Sequence, residues 1–480
     1  MKKVTFGTPE KLTPSCFCKN FNYVETETSY DVSSIRHEKN SRGYKLILPL
    51  GNDEQIFGFG LQLKRMNWTG GKATLRVNAD PVAATGDSHA PVPFFVSTAG
   101  YGIYFDTARY AEFNIGTAMT GTAVENGSQT ATSFAELYSY RKPAKGVIAV
   151  QIPAADGIDI YIIEGKTITD IVAQYNMLSG GGCNVPDWGL GVFYRCHSYY
   201  NQDRVLAMAD YFRANDIPCS VIGLEPGWHT HAYSCTYKWN ETLFPDHKSM
   251  IRTLGEKGFH LNLWEHAFTH PDSPIYDEMG KGCCDFDVWG GRVPDFALPE
   301  IRFAFAKYHR ENIVDGFLDG FKLDFVDSFA QPAAYEELPD LGRDEQSVPK
   351  AVDTLLSDVI DTLRQTKPEI MVEFRQHYIG PLMRKYGNMF RATDCPLDPL
   401  RNRIRTIDVR LLCGSTAAHA DMIKWNADER VEDAAYHIIA ILFSVPQISV
   451  LLDEVPQEHR EMIKFYLSLW KEYRSVLLDG

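Results

Sequence analysis

A lysine and an aspartate interrupt an otherwise apolar segment of the chain. The segment GFKLDFVDSF, residues 320–329, holds Lys322 and Asp324 among residues typical of a buried strand. Because side chains alternate between the faces of a strand, these two share one face while Phe321 and Leu323 share the other. A cation beneath a carboxylate keeps it ionised in a partly dry site, as a nucleophile requires. A structural ion pair explains the segment equally well.

A second candidate acid, Asp394, ends the segment MFRATD further along the chain. Two opposed carboxylates are what glycosidic bond cleavage needs, because one attacks the sugar or activates water and the other protonates the leaving oxygen. Taken alone, Asp394 is better explained as a helix cap, since TDCPLDPL can start a helix. The pair Asp324 and Asp394 is therefore stronger evidence for this chemistry than either residue.

The pattern of predicted strands and helices that must position these carboxylates changes before residue 190. From Tyr44 to about Ile163, short strands are broken by Gly, Asn, Asp and Pro clusters, which predicts an antiparallel sandwich. A stretch rich in Gly and Pro, residues 179–189, marks a boundary. We expect an N-terminal β-sandwich domain over residues 1–183 and a catalytic barrel domain over residues 184–480.

After residue 189, short apolar runs alternate with helical patterns, which is typical of strand-helix units around a parallel sheet. A doubly wound open sheet is the competing architecture, but no GxGxxG motif and no phosphate loop supports it. Eight runs are present, and eight strands close a barrel. The predicted fold class is therefore α/β, a (β/α)8 TIM barrel preceded by the sandwich. The runs are GLGVFY, CSVIGL, HLNLW, GFKLDF, IMVEFR, MFRATD, TAAHAD and ISVLL.

The ends of these runs carry the residues able to do chemistry, because the active site of such a barrel lies at the C-terminal ends of its strands. Nearly every run ends in a polar or aromatic residue that can bind a hydroxyl group. We therefore expect a mouth lined with acids and rings. The residues are Tyr194 to His197, Glu225, Trp264 to His266, Asp324 with Asp327, Arg375 with His377, Asp394, His419 with Asp421, and Asp453.

Composition excludes several classes of protein. A formal net charge of -14 argues against a nucleic-acid or anionic-membrane surface, since both need clustered Lys and Arg. No run of about eighteen apolar residues spans a membrane, and no export signal follows the N-terminus.

The ten cysteines lack the CxxC spacing of a zinc site and are expected to be reduced thiols, so we predict a cytoplasmic protein without a metal. A homo-oligomer is compatible with the sequence.

Several of these segments together resemble glycoside hydrolase family 31, the group of α-glucosidases and α-xylosidases, with looser similarity to the family 36 α-galactosidases. The resemblance runs from about Phe57 to about Asp421 in the order typical of the family. Its motifs are FGFG, PFFVSTAGYGIYFD, DWGLGVFYRCHSYYNQDRV, WNETLFPDHKSMIRTLGEKGFHLNLW, DFALPE, DGFKLDF and FRATDC.

The resemblance implies a role for each matching residue. Asp324 looks like the nucleophile and Asp394 like the general acid and base of a retaining, exo-acting α-glycosidase of the galactoside or glucoside type. A retaining pair of carboxyl groups is about 5 to 5.5 Å apart. No cofactor is implied, and a small carbohydrate is the expected partner. The residues implied to bind substrate are Glu225, Trp264, Lys322, Arg375, and His419 or Asp421.

Three departures from the family pattern bear on specificity. Glu225 stands where the family usually has an aspartate that holds the far hydroxyl groups of the sugar, which places plain glucosidase specificity in question. Glu265, His266 and Ala267 follow Trp264, where relatives have Ile-Asn-Pro. The sequence stops at LLDG, where the family continues into a C-terminal β-domain, so we expect that domain to be absent or trimmed. A catalytically silent carbohydrate-binding protein on the same scaffold is the alternative function.

Overall fold

The computed structural model describes residues 1–10, 24–61, 66–76, 91–117, 146–179, 185–280, 283–314, 318–324, 342–345, 348–374, 387–394, 397–413 and 417–479. These residues divide into two compact units, with the division between Leu178 and Ser179. The predicted boundary between residues 183 and 184 lies outside the described residues.

The first unit contains two antiparallel sheets of five strands each among the described residues. Alternate side chains of one central strand, Leu46 and Leu48, are fully buried, as expected where one face of a strand covers a core. One sheet has the order β1-β10-β7-β6-β4 and the other β2-β3-β9-β8-β5. The strands are β1 Lys2–Gly7, β2 Arg36–Asn40, β3 Gly43–Pro49, β4 Ile56–Gly60, β5 Gly71–Thr74, β6 Pro91–Ser97, β7 Tyr101–Phe105, β8 Glu112–Ile115, β9 Val147–Pro153 and β10 Gly157–Glu164. The predicted sandwich is confirmed.

The second unit is built around eight parallel strands in one sheet. In spatial order they are β20 Gln447–Ile448, β11 Phe193–Cys196, β12 Val221–Leu224, β13 His260–His266, β16 Gly320–Asp324, β17 Met371–Phe374, β18 Met389–Arg391 and β19 Ala417–His419. The two ends of the sheet meet, because the N–H of Val445 donates to the carbonyl of Ala418 at 2.9 Å. Each predicted run overlaps one of these strands, so the barrel is confirmed.

A β-hairpin after the third barrel strand was not predicted. Its strands are β14 Cys283–Val288 and β15 Gly291–Pro294. The turn residues Trp289 and Gly290 both have positive φ, 51° and 71°, as a tight hairpin turn requires. Its first strand alternates apolar and polar residues from Cys284 to Val288, and two glycines follow, so the sequence did carry a signal for it.

Some of the helices begin at a residue whose side chain caps them. Asn201 accepts a hydrogen bond from the N–H of Arg204 at 2.9 Å and so starts α2. The helices are α1 Ile168–Leu178, α2 Gln202–Ala214, α3 His247–Glu256, α4 Tyr276–Met279, α5 Pro299–Asn312, α6 Val348–Thr366, α7 Pro399–Cys413, α8 Val431–Ala440 and α9 Gln457–Asp479. Within the described ranges, none of them combines the length and the apolar character needed to cross a bilayer.

Candidate active site

A buried arginine ties together four strands in the floor of the barrel. Arg195 on β11 is fully buried, and its guanidinium contacts Asn262 on β13 at 2.6 Å, Gln447 on β20 at 3.0 Å, and Glu373 on β17. A Cβ atom at Gly223 on the neighbouring β12 would lie 2.4 Å from this guanidinium, so only glycine leaves room there. The floor is therefore a polar network built around one cation.

His419 continues this network toward the mouth of the barrel. Its Nδ1 accepts a hydrogen bond from the N–H of Asp421 at 3.1 Å, and its Nε2 lies 3.3 Å from Glu373. Burial holds the pKa of His419 well below its ordinary value, so the ring is neutral at pH 7. Because Nδ1 accepts, the proton is assigned to Nε2 and faces Glu373. Since His419 is 0% exposed, it positions Asp421 rather than lining the mouth.

Lys322 is held between two carboxylates. Its Nζ lies 2.9 Å from Asp421 and 3.2 Å from Glu225. Burial opposes the charge, but Asp421 and Glu225 raise the pKa of Lys322. Against the cost of its own burial, the pKa of Asp421 is held well below its usual range by Lys322 and Arg391. The expectation that Lys322 serves Asp324 directly is thus corrected, since its ammonium group is directed at Glu225 and Asp421.

Asp324 stands at the end of β16, where it is 3% exposed. The indole Nε1 of Trp264 donates a hydrogen bond to Asp324 Oδ2 at 3.0 Å. Trp264 reaches it because β13 and β16 run parallel with Trp264 opposite Lys322 and His266 opposite Asp324. A hydrogen bond to a carboxylate favours its ionised form, so Trp264 helps to keep the predicted nucleophile negative.

Asp394, at the end of β18, is in a different electrostatic state. Its side chain is 33% exposed, and its Oδ1 lies 3.4 Å from the guanidinium of Arg391, which is an ion-pair distance. Burial raises the pKa of Asp394, Arg391 opposes the rise, and the charges of Asp421 and Asp324 add to it. A carboxyl group with a raised pKa holds its proton to higher pH, as a general acid requires.

Asp394 is not the helix cap that the sequence offered as an alternative, because Asp398 caps that helix. Helix α7 begins at Pro399, and the side chain of Asp398 accepts a hydrogen bond from the N–H of Arg401 at 3.1 Å. The cap is therefore Asp398, and Asp394 lies four residues earlier, beside Arg391.

An aromatic wall, formed by Tyr233, Trp264, His266 and Trp289, borders Asp324. The ring of Tyr233 lies 5.5 Å from that of Trp264 and 5.2 Å from that of Trp289, between centroids. Tyr233 and Trp289 are 50% and 45% exposed. Burial, with the charges of Asp324 and Glu225, raises the pKa of Tyr233 to about 12. The wall therefore presents two half-exposed rings next to the carboxylates.

The barrel brings most of the predicted site residues together. Contacts link Glu225, Lys322 and Asp421 in one group, and Trp264 and Asp324 in another. Arg375, Asp327 and His377 lie outside the described residues. The loop histidine His229 is 3% exposed, and its Nε2 lies 3.3 Å from the carbonyl oxygen of Trp264. It therefore packs against the buried side of the aromatic wall.

Sequence reasoning missed two charged residues of the site, Glu373 and Arg391, and it included a third, Arg195, only as part of the strand end Tyr194 to His197. Each interrupts an apolar strand run, as Lys322 does, so the same signal could have found them. Arg391 is the most informative, because its guanidinium reaches both Asp394 and, at 3.0 Å, Asp421.

Three of the buried groups could in principle hold a metal ion. Ligand atoms of Glu373, His419 and Asp421 lie within 4.8 Å of one another. However, Arg195 already contacts Glu373, and both Lys322 and Arg391 contact Asp421. The negative charge of the cluster is thereby matched by side chains, which is the arrangement of an ion-pair network.

Several known proteins are similar to this chain in sequence. The sequence model of the Glycosyl hydrolases family 31 TIM-barrel domain matches residues 183–472. The alpha-xylosidase XylQ of Lactiplantibacillus pentosus is 22% identical over 63% of this chain and 38% of its own length. An alpha-glucosidase of Saccharolobus solfataricus is 26% identical over 49% of this chain and 32% of its own length. The chain thus spans about two fifths or less of these relatives.

Solved structures show the same fold. A GH31 alpha-xylosidase from a soil metagenome, complexed with xylose, superposes with a TM-score of 0.70 at 16% identity, covering 93% of this chain and 67% of that one. A GH31 dextranase of Flavobacterium johnsoniae, complexed with glucose, gives a TM-score of 0.68 at 18% identity, covering 93% and 57%. Since the family's barrel model matches more than half of the sequence, this chain belongs to glycosyl hydrolase family 31.

Proposed function

We propose that the protein is a retaining, exo-acting α-glycoside hydrolase that releases a non-reducing terminal sugar of the α-galactoside or α-glucoside type. The observation that carries the proposal is the unequal pair of carboxyl groups at the barrel mouth. The indole of Trp264 donates a hydrogen bond to Asp324, which favours the ionised form of a carboxyl group, and burial raises the pKa of Asp394. Surroundings that favour opposite protonation states in two carboxyl groups are the mark of a nucleophile and an acid.

The first step is the attack of Asp324 on the anomeric carbon. The bond from that carbon to the leaving oxygen breaks, while Asp394 delivers its proton to the oxygen. Trp264, which is 2% exposed, holds Asp324 in place for this attack through the hydrogen bond from its indole. The product of this step is a covalent glycosyl ester of Asp324 and a free alcohol.

The second step reverses the roles. Asp394, now ionised, takes a proton from water, and the water oxygen attacks the anomeric carbon from the side that the alcohol left. Asp324 leaves as a carboxylate that accepts the hydrogen bond from Trp264. Two inversions at one carbon return the α configuration, so the net outcome is retention.

Selection of the sugar is assigned to Glu225. It lies at the end of β12 with its carboxylate held by Lys322, and it is 6% exposed. Burial raises the pKa of Glu225, while Lys322 and Arg195 oppose the rise. A carboxylate fixed by two cations is an acceptor of set direction, which suits the recognition of sugar hydroxyl groups.

The test of the proposal is release of nitrophenol from aryl α-glycosides. The panel contains the galactoside, glucoside, xyloside, N-acetylgalactosaminide and sulfoquinovoside, with the β-anomers as controls. We expect turnover of one α-anomer and none of the β-anomers, with the α-sugar as first product by NMR. Silence across the panel from folded protein would reject hydrolysis and favour the alternative, a carbohydrate-binding protein.

A single substitution tests the role of Glu225. Glu225→Asp withdraws the carboxylate by one methylene and about 1.5 Å. We expect the ratio of kcat/KM between galactoside and glucoside to change, and an unchanged ratio would remove Glu225 as the selector.

A further inference from the structure

The guanidinium of Arg391 is divided between two carboxylates of unequal exposure. It lies 3.0 Å from the buried Asp421 and 3.4 Å from Asp394 at the mouth. Arg391 is itself 2% exposed, so water does little to screen its contact with Asp421, whose side chain is fully buried. One cation therefore serves both a permanent anion and the group proposed to gain and lose a proton.

Asp421 is fixed more firmly than a surface carboxylate. Its backbone has a φ of 59°, in the left-handed region where aspartate is one of the few residue types besides glycine that are found more often. Its N–H donates a hydrogen bond to Nδ1 of His419, whose other nitrogen faces Glu373. Its carboxylate is then shared between Lys322 and Arg391. The anion beside Arg391 is thus set in place from the barrel floor.

We propose that Asp421, by competing with Asp394 for the guanidinium of Arg391, sets the pH range in which Asp394 can act as the acid. This inference rests on the proposed function of Asp394. Asp421 and Arg391 are positioning residues in it, since they act through Asp394 rather than on the substrate.

The charged groups that face Asp394 in the described part of the chain come from three strand ends. They are Arg391 on β18, Asp421 after β19, and Lys322 with Asp324 on β16. From the helix side, Arg405 of α7 binds the hydroxyl group of the adjacent Thr393. The two anions favour the protonated form of Asp394 and the cations disfavour it.

The two substitutions that break this arrangement have opposite expected effects. In Asp421→Asn, Asp394 is the remaining anion beside Arg391, and the positive charge of Lys322 is no longer balanced by Asp421, so the pKa of Asp394 falls. In Arg391→Met, Asp394 loses its nearest cation, so its pKa rises.

The alkaline limb of the pH profile of kcat/KM reports the pKa of the acid in the free enzyme. We therefore expect this limb to move to lower pH in Asp421→Asn and to higher pH in Arg391→Met, each by about one unit or more.

Arg430 and Asp433 provide controls outside the site. They form an ion pair at 2.8 Å at the start of α8, with 74% and 56% of their side chains exposed. Asp433→Asn and Arg430→Met remove the same charges and should leave the pH profile in place. A purely structural role for Asp421 and Arg391 would lower activity in both variants without opposite shifts of the limb.

The experiment records kcat/KM from pH 4 to 10 for the wild type and the four variants, each checked for folding by circular dichroism. Shifts of opposite sign support the proposal. Shifts of the same sign, or none, overturn it. If Arg391→Met does not fold, Asp421→Asn decides alone. An alkaline limb that stays in place or moves to higher pH in Asp421→Asn contradicts the proposal.

A direct titration separates this inference from the proposed function. The carboxyl carbon of Asp394 is followed by ¹³C NMR, with the signal assigned by its loss in Asp394→Asn. A wild type without turnover rejects the proposed function, yet the titration still measures whether Asp421→Asn lowers and Arg391→Met raises the pKa of Asp394. Failure of those shifts in an active enzyme rejects only the inference.

Discussion

The two units of this chain fill their interiors in opposite ways. The sandwich closes over a continuous apolar core in which Phe113 contacts both Phe59 and Phe105. The barrel interior instead buries Arg195, Lys322, Glu373, Arg391 and Asp421, each 2% exposed or less.

The difference has an energetic meaning. Burying apolar surface stabilises a fold directly, whereas a buried ion pair often returns little more than its cost of desolvation. Among the described residues, the charged side chains that are 2% exposed or less lie in the barrel, so the barrel is the unit that holds the groups for chemistry. Substitutions in the barrel should therefore change activity more than stability, and those in the sandwich should do the reverse.

The largest expected effect is on turnover in Asp324→Ala. Loss of the nucleophile removes the covalent intermediate, so kcat should fall by a factor on the order of 10³ or more, while the thermal midpoint stays within a few degrees. The measurement is nitrophenol release beside a thermal scan. Added azide should restore part of the rate with the activated substrate by replacing the carboxylate as nucleophile, and undiminished activity without it would remove Asp324 from the mechanism.

A core substitution in the sandwich should do the opposite. Phe113→Ala opens a cavity among Phe59 and Phe105, and we expect the free energy of unfolding to fall by about 3–5 kcal/mol. Urea unfolding followed by fluorescence measures this, with kcat per folded molecule unchanged. Phe303→Ala, at a ring that is 65% exposed, is the matched control, and an equal loss there would contradict the packing argument.

A buried pair on the outer side of the barrel should make stability depend on pH. His309 on α5 lies 3.2 Å from Glu265 on β13. Burial opposes the charge of His309, but Glu265 overcomes it and raises the pKa. Since the pKa is higher in the folded state, the stabilisation is complete below about pH 6.5, the ordinary value, and is lost as the pH rises through the folded-state pKa.

His309→Gln removes this pH dependence. Urea unfolding of the wild type should give a lower free energy at pH 9 than at pH 6, and the variant should lose that difference. The effect should be smaller than that of Phe113→Ala. Equal pH dependence in the two proteins would show that His309 does not titrate in this range.

The smallest expected effect lies at the rim of the mouth. Trp289 is 45% exposed and contacts Tyr233, so Trp289→Ala should leave the free energy of unfolding nearly unchanged. Loss of its ring face should raise KM a few-fold, corresponding to about 1 kcal/mol of stacking. Trp289→Phe should retain most of the affinity. A large loss of stability in Trp289→Ala would place the ring in the core instead.

Much of this protein was determined by the sequence alone. Apolar runs of strand length, broken by turn residues, are local signals, and they predicted the sandwich and all eight barrel strands. Strand alternation placed Lys322 and Asp324 on one face, and the order of motifs identified the family. The cytoplasmic location remains a prediction.

Only the tertiary structure decided which charges meet. Lys322 contacts Glu225 and Asp421 from other strands, 97 and 99 residues away, and Asp398 rather than Asp394 caps the helix. These partners depend on how the parallel strands are set against one another around the barrel, which no stretch of sequence records. The type and position of a residue in the sequence indicate that it is charged and buried. Its partner is determined only when the sheet closes into a barrel and brings distant strands together.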